Sequence, residues 1–268
     1  MQFGMSEVGF PFDDLDRSFA CLAEAGYDGV EIRITEDHLE SPAEVGEIVD
    51  QAADHDLVIP TVMASAAGGS ALADPDEATR AAAIEKAKRT FEDVTPLLPD
   101  LESILLIPGG VSADLQYDAA FDNAVTAVRE IGRAARGADY SISLEYVWND
   151  FLLSPREFAA FVDTVSDAGP IGAYFDVGNV MHRGHPHHWI RILDERIDAV
   201  HVKDFDEDIG GFGGFTYPTQ ADVPWEEVDK ALEEIGYDGW ITVEVSPYPT
   251  HPGHMPGHVL DNLEATFG

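Results

Sequence analysis

Ile171-Gly172-Ala173-Tyr174-Phe175-Asp176 and Ile197-Asp198-Ala199-Val200-His201 decide the fold. Each is a short run of apolar, β-branched or aromatic residues that stops on a side chain able to bind a divalent cation. Each then gives way to loop-forming or helix-starting residues, the pattern of a buried parallel strand covered on both faces. Two further runs share the design, Tyr140-Ser141-Ile142-Ser143-Leu144-Glu145 and Trp240-Ile241-Thr242-Val243-Glu244. In a closed parallel barrel the C-terminal strand ends converge on one face, where barrel enzymes carry their chemistry. One Glu, one Asp, one His and a second Glu would meet there. Three carboxylates buried together need a positive charge among them. Carboxylate oxygens with one imidazole suit Mn²⁺, Mg²⁺ or Co²⁺. The expected metal ligands are therefore Glu145, Asp176, His201 and Glu244.

Outward from these runs, strand-like and helix-like patterns alternate with no linker or low-complexity stretch. Strands are expected at Gln2–Met5, Gly29–Ile34, Leu57–Met63 and Leu101–Pro108, with helices at Leu15–Ala25, Pro42–His55, Asp76–Leu98 and Tyr117–Arg136. With the four ligand-bearing strands this makes eight units, an α/β fold of the (β/α)8 TIM-barrel type in one domain over residues 1–268. The alternative, a doubly wound open sheet, requires a glycine-rich phosphate loop after the first strand. That position reads Ser6-Glu7-Val8-Gly9-Phe10-Pro11 instead.

The length of 268 residues fits a barrel, which takes about 250, and 45% hydrophobic residues supply one large core. No apolar run approaches the roughly 20 residues that a membrane span needs. Met1–Met5 lacks a basic region followed by an apolar stretch, so no signal peptide is expected and the assignment is cytoplasmic. The lone Cys21 excludes an intrachain disulfide and any cysteine-based zinc site. The net charge of −36 is spread through helices and loops, with only four lysines in the chain. It reads as adaptation to a salty, halophilic interior, where screening over about 3 Å at 1 M salt removes most self-repulsion. It disfavours a nucleic-acid partner.

The same residues carry a family resemblance. Glu24-Ala25-Gly26-Tyr27-Asp28-Gly29-Val30-Glu31, Leu144-Glu145-Tyr146-Val147-Trp148-Asn149, Phe175-Asp176-Val177-Gly178-Asn179, His201-Val202-Lys203-Asp204 and Ile235-Gly236-Tyr237-Asp238-Gly239-Trp240 leading to Val243-Glu244 resemble the sugar phosphate isomerase/epimerase group of xylose-isomerase-like barrels. The resemblance implies one divalent metal, often Mn²⁺, on the four ligands, and a keto-sugar or sugar phosphate between the two glutamates. It also implies carbohydrate metabolism and a fold that often pairs with a second copy. Ketose 3-epimerases of this group carry a His three residues after the metal-binding Asp, where this chain has Asn179.

The chemistry such residues support is proton abstraction beside a carbonyl through a metal-stabilised enediolate. Glu145 and Glu244 are the catalytic acid and base, which typically contribute about 10² to 10⁴ in rate. Return of the proton to the same carbon from the other face gives an epimerase; return to another carbon gives an isomerase. Lys203 shares the inward side of its strand with His201 and has two readings, a contact to substrate oxygen or phosphate and a salt bridge to a site acid. Asn179, His182, Trp148, Asn149 and Glu31 are the other candidate substrate contacts. For Trp148 and Asn149 packing and a turn remain open. Asp204 either orients His201 or Lys203 from behind or begins the next loop.

Of the remaining features, the close spacing of His182, His185, His187 and His188 suggests a second metal, although no carboxylates accompany them. His251, His254 and His258 read as surface. Gly210–Gly214 reads as a loop able to close over the sugar. Three other functions compete with the isomerase. A keto-inositol (inosose) dehydratase would use the same metal site and expel hydroxide. An endonuclease-like hydrolase needs two or three metals and extra early His ligands, whereas these strands end in Ile34, Met63 and Pro108. The last is a sugar-binding barrel without activity.

Overall fold

A computed structural model describes residues 1–268, the side chain of Ala66 excepted. Eight parallel strands close into a barrel: β1 (Gln2–Ser6), β2 (Gly29–Arg33), β3 (Val58–Met63), β4 (Ser103–Leu106), β5 (Ser141–Glu145), β6 (Ile171–Asp176), β7 (Ile197–Val202) and β10 (Trp240–Val243). Their order around the barrel follows the chain, with β10 closing onto β1. The expected (β/α)8 architecture is thus the observed one. Between β7 and β10 lies an antiparallel hairpin of β8 (Asp204–Phe205) and β9 (Phe215–Thr216), which sequence reading did not foresee.

The strands are apolar toward the helices and unusually polar toward the lumen. All six residues of β6 are buried, yet Tyr174 and Asp176 lie on its inner side while Phe175 joins the outer core. Inside, Met63, Leu105, Tyr174 and Ala199 form a small apolar cluster of their own. Helix ends are set by local chemistry. Asp14 accepts from the Arg17 N–H to start α1 (Leu15–Ala25), and Gly26 ends it at φ +103°, where a side chain would be strained. Ser154 caps α6 (Pro155–Val165) in the same way.

The helix expected over Asp76–Leu98 is not one regular helix. α4 (Glu77–Arg89) passes into a π turn at Thr90–Val94 and a 3₁₀ turn at Thr95–Leu97. Thr90 and Thr95 bond back to the carbonyls of Lys86 and Phe91, and Pro96 supplies no N–H to continue the ladder. The segment after β6 also divides in two, α7 (Val177–Met181) and α8 (Pro186–Leu193), because the turn between them contains Gly184 at φ +142° and Pro186, which has no N–H, opens the second helix. Among the described residues no helix is long and apolar enough to cross a membrane.

Candidate active site

Register brings the ligand-bearing strand ends together. Asp176 on β6 pairs with His201 on β7, and Thr242 on β10 pairs with the same histidine. Glu145 ends β5 beside Tyr174. A bulge between β6 and β7 leaves Asp198 as an extra residue and restores the pairing from Tyr174 with Ala199 onward. The result is a cluster of Glu145, Asp176, His201 and Glu244 in which one ligand atom from each lies within 4.8 Å of the others. From His201 Nδ1 the nearest carboxylate oxygens are 3.7 Å away on Glu145, 3.9 Å on Asp176 and 4.0 Å on Glu244.

The histidine shows which of its nitrogens faces the cluster. Nε2 is 2.8 Å from Glu31 Oε1. A carboxylate only accepts, so Nε2 carries the hydrogen, and with an ion bound Nδ1 would be the nitrogen that offers its lone pair. Nδ1 is buried and without a hydrogen-bond partner among the described residues. An unpaired imidazole nitrogen aimed at three carboxylates is what a metal ligand requires, and a carboxylate behind it fixes ring and tautomer. The residues present therefore fit a divalent ion. Glu31 is itself held by Thr61 Oγ1 at 2.9 Å and by the Tyr174 hydroxyl at 2.8 Å.

Among the described residues two expected contacts are not made, that of Glu31 at the barrel mouth and that of Asp204 behind His201 or Lys203. Glu31 does not line the barrel mouth; it is fully buried beneath His201. Asp204 touches neither His201 nor Lys203. Its carboxylate accepts from Phe205 N, Ala221 N, Val223 N and Trp225 Nε1, all between 2.8 and 3.0 Å. Glu31 follows Val30 and Asp204 follows Lys203, and strand pattern alone gives no means of telling which strand lies across the lumen from β7. Tyr174 and Thr61 escaped notice, although Tyr174 stands two residues before Asp176 and so shares its face.

A cavity of about 520 Å³ opens above the cluster. Of the four candidate ligands, Glu145 and Glu244 line it, while Asp176 and His201 lie beneath. Burial pushes the Glu145 carboxyl up to about 7, with the Glu244 carboxylate adding to the shift and His201 opposing it. Burial also raises the Glu244 carboxyl, but Lys203 and His201 overcome it and hold the group below its ordinary value. The Lys203 ammonium bonds Asp176 Oδ2 at 2.5 Å and contacts Glu244 Oε2. Despite burial, these carboxylates keep it charged well above the ordinary lysine range.

Asn179 joins several parts of the site. Its amide nitrogen donates to Glu145 Oε1 at 3.1 Å and to the Tyr146 carbonyl at 3.2 Å. Its N–H donates to Asp176 Oδ1, and its carbonyl accepts from Trp148 Nε1, both at 2.8 Å. Trp148 forms one cavity wall, packed on Phe215 at 4.9 Å and Phe212 at 5.2 Å between ring centroids. His182 packs at a tilt on the same indole at 5.1 Å from an exposed position and is not among the residues lining the cavity. Asn149 is not among them either: its side chain donates to the Gly109 carbonyl and its own carbonyl accepts from Val111 N, which ties two loops together. The Gly210–Gly214 stretch is the turn of the β8–β9 hairpin, with Gly210 and Gly211 at positive φ and Phe212 78% exposed at the cavity mouth.

The model of the family described as xylose isomerase-like TIM barrel matches residues 19–265. Over 91% of its length the chain is 25% identical to the uncharacterized protein MJ1311 of Methanocaldococcus jannaschii, covering 83% of that protein. It is 25% identical to an inosose dehydratase of Lacticaseibacillus casei over 150 residues, 49% of each chain. The solved structure of a D-tagatose 3-epimerase-like protein gives a TM-score of 0.80 at 23% identity, covering 99% of this chain and 98% of that one. A structure of the IolI protein with a zinc atom gives 0.78 at 18% identity, covering 99% and 96%. At such identities the two structures speak to the fold alone.

Proposed function

Since the chain belongs to the xylose isomerase-like TIM barrel family, we propose that its cavity binds an uncharged keto-sugar and moves a proton beside the carbonyl, as a metal-dependent isomerase or epimerase. The observation that carries this reading is the division of labour among the four ligands. Asp176 and His201 are buried beneath the cavity floor and suited to hold an ion, whereas Glu145 and Glu244 reach the cavity and suit proton transfer. A divalent ion on this set, with Mn²⁺, Mg²⁺ and Co²⁺ all compatible with its donors, supplies stabilisation of negative charge developing on the carbonyl oxygen. Asn179 orients Glu145, and Lys203 restrains Glu244. The Trp148–Phe215 wall excludes water from one side of the substrate.

An uncharged substrate follows from Lys203. Among the described residues it is the one cationic side chain lining the cavity, and its ammonium is engaged by Asp176 and Glu244. A phosphate would meet two glutamates and an apolar wall with no free cation to receive it. Similarity to an inosose dehydratase favours a second reading, loss of water from a keto-inositol at the same site; the mass of the product separates the two. The first reading is tested with Glu145→Gln and Glu244→Gln. Each is expected to lower turnover by about 10² to 10⁴ while leaving the circular dichroism spectrum unchanged. Normal activity in Glu244→Gln would remove the assigned chemistry.

A further inference from the structure

The first turn of α8 and the residue that precedes it carry a histidine cluster that the barrel site does not use. Among His185, His187 and His188 the ring centroids are 4.4, 5.3 and 5.7 Å apart. Metal–nitrogen bonds of about 2.0–2.1 Å put the centroids of three imidazoles on one tetrahedral ion about 5 Å apart. We propose that His185, His187 and His188 form a second metal site, outside the barrel, for a first-row transition ion of the Zn²⁺, Ni²⁺ or Cu²⁺ kind.

Several observations support it. His187 Nδ1 is buried and has no hydrogen-bond partner among the described residues, so the ring keeps an unsatisfied nitrogen. His185 and His188 are exposed, and their rings turn at little cost to bring a nitrogen inward. Imidazoles without carboxylates select Zn²⁺, Ni²⁺ or Cu²⁺ over the harder ions that suit the barrel site. The nearby Arg191 is already taken up by Glu234 at 2.5 Å. The N-terminus of α8 disfavours a cation modestly, and the chain's net charge of −36 acts the other way by concentrating cations at the surface. The cluster also follows Asp176 through α7, so an ion here stiffens the segment that carries a barrel ligand.

The experiment is equilibrium dialysis of the full chain against Ni²⁺, with bound metal counted by atomic emission. It compares the parent protein with a His185→Asn/His188→Asn double variant, whose changes fall on exposed positions and spare the core. Circular dichroism of both proteins checks that the fold is retained. The expected result is two ions per chain in the parent and one in the variant, with turnover in saturating Mn²⁺ unchanged. One ion in the parent and none in the variant would keep this inference and remove the barrel ion instead. Equal counts in the two proteins would overturn it.

Discussion

Asn179 shows how much of a site one residue can organise through its side chain and its backbone together. It bonds Glu145, Asp176 and the indole of Trp148, so it ties two ligand-bearing strands to the cavity wall. Asn179→Ala would leave Glu145 without that donor. A loss of about 10–100-fold in activity or metal affinity is the usual consequence of removing such support. Steady-state kinetics should show the loss mainly in kcat, with KM moving less; a change confined to KM would mark Asn179 as a substrate contact instead. At this scale the sequence was legible where a residue closes an apolar run, as Glu145, Asp176, His201 and Glu244 do. It was not legible where the role depends on the far side of the lumen. In sequence Glu31 reads as another strand-end acid, and its place is set by the bond between β2 and β7 at His201 Nε2.

At the scale of elements, the β6–β7 pair combines function at one end with a cost at the other. Its bulge at Asp198 leaves a partly buried carboxyl bonded to Ser143 Oγ at 2.8 Å, below the candidate active-site layers. A side chain at Gly172 would meet the Arg196 carbonyl at 2.8 Å as well as the Asp198 carboxylate at 2.1 Å, which favours glycine there. Burial pushes the Asp198 carboxyl up from 3.8 to about 6, with Ser143 and Ser141 opposing. A raised carboxyl in the folded state means that folding holds the proton more tightly. Stability is therefore lost as pH rises from about 4 to 6, and the full penalty, of the order of 3 kcal/mol, stands above that range. Asp198→Asn should be stabilising at pH 8 by up to that amount, with the gain shrinking toward pH 4. Urea unfolding at several pH values checks it; a pH-independent effect would contradict the cause given. The alternation of strands and helices was readable from apolar periodicity, but the bulge was not, since one extra residue leaves Ile197–Val202 looking like any other strand. The β8–β9 hairpin was equally hidden. Two-residue strands carry no period, and the bonds by which Asp204 ties the segment after β9 back to β8, from Ala221, Val223 and Trp225, span too many residues to show as a local pattern.

For the whole molecule, the charge of −36 sets the conditions under which the rest operates. Many ion pairs lie at the surface, such as Arg33–Glu7 and Arg196–Asp163, and each contributes little. With 51 acids against 15 lysines and arginines, unpaired repulsion dominates. The melting temperature is therefore expected to rise between 0.1 M and 2 M KCl, as the screening length falls from about 10 Å to below 3 Å. A flat or falling curve would remove the reading of the charge as an adaptation to salt. High KCl is also the medium for the decisive measurement. Protein loaded with Mn²⁺ is incubated in D₂O with free ketoses and their phosphates, and the products are read by mass spectrometry. Uptake of one deuterium into a free ketose of unchanged formula, with little into its phosphate, is the predicted result. No uptake into any ketose by folded, metal-loaded protein would contradict proton transfer at Glu145 and Glu244.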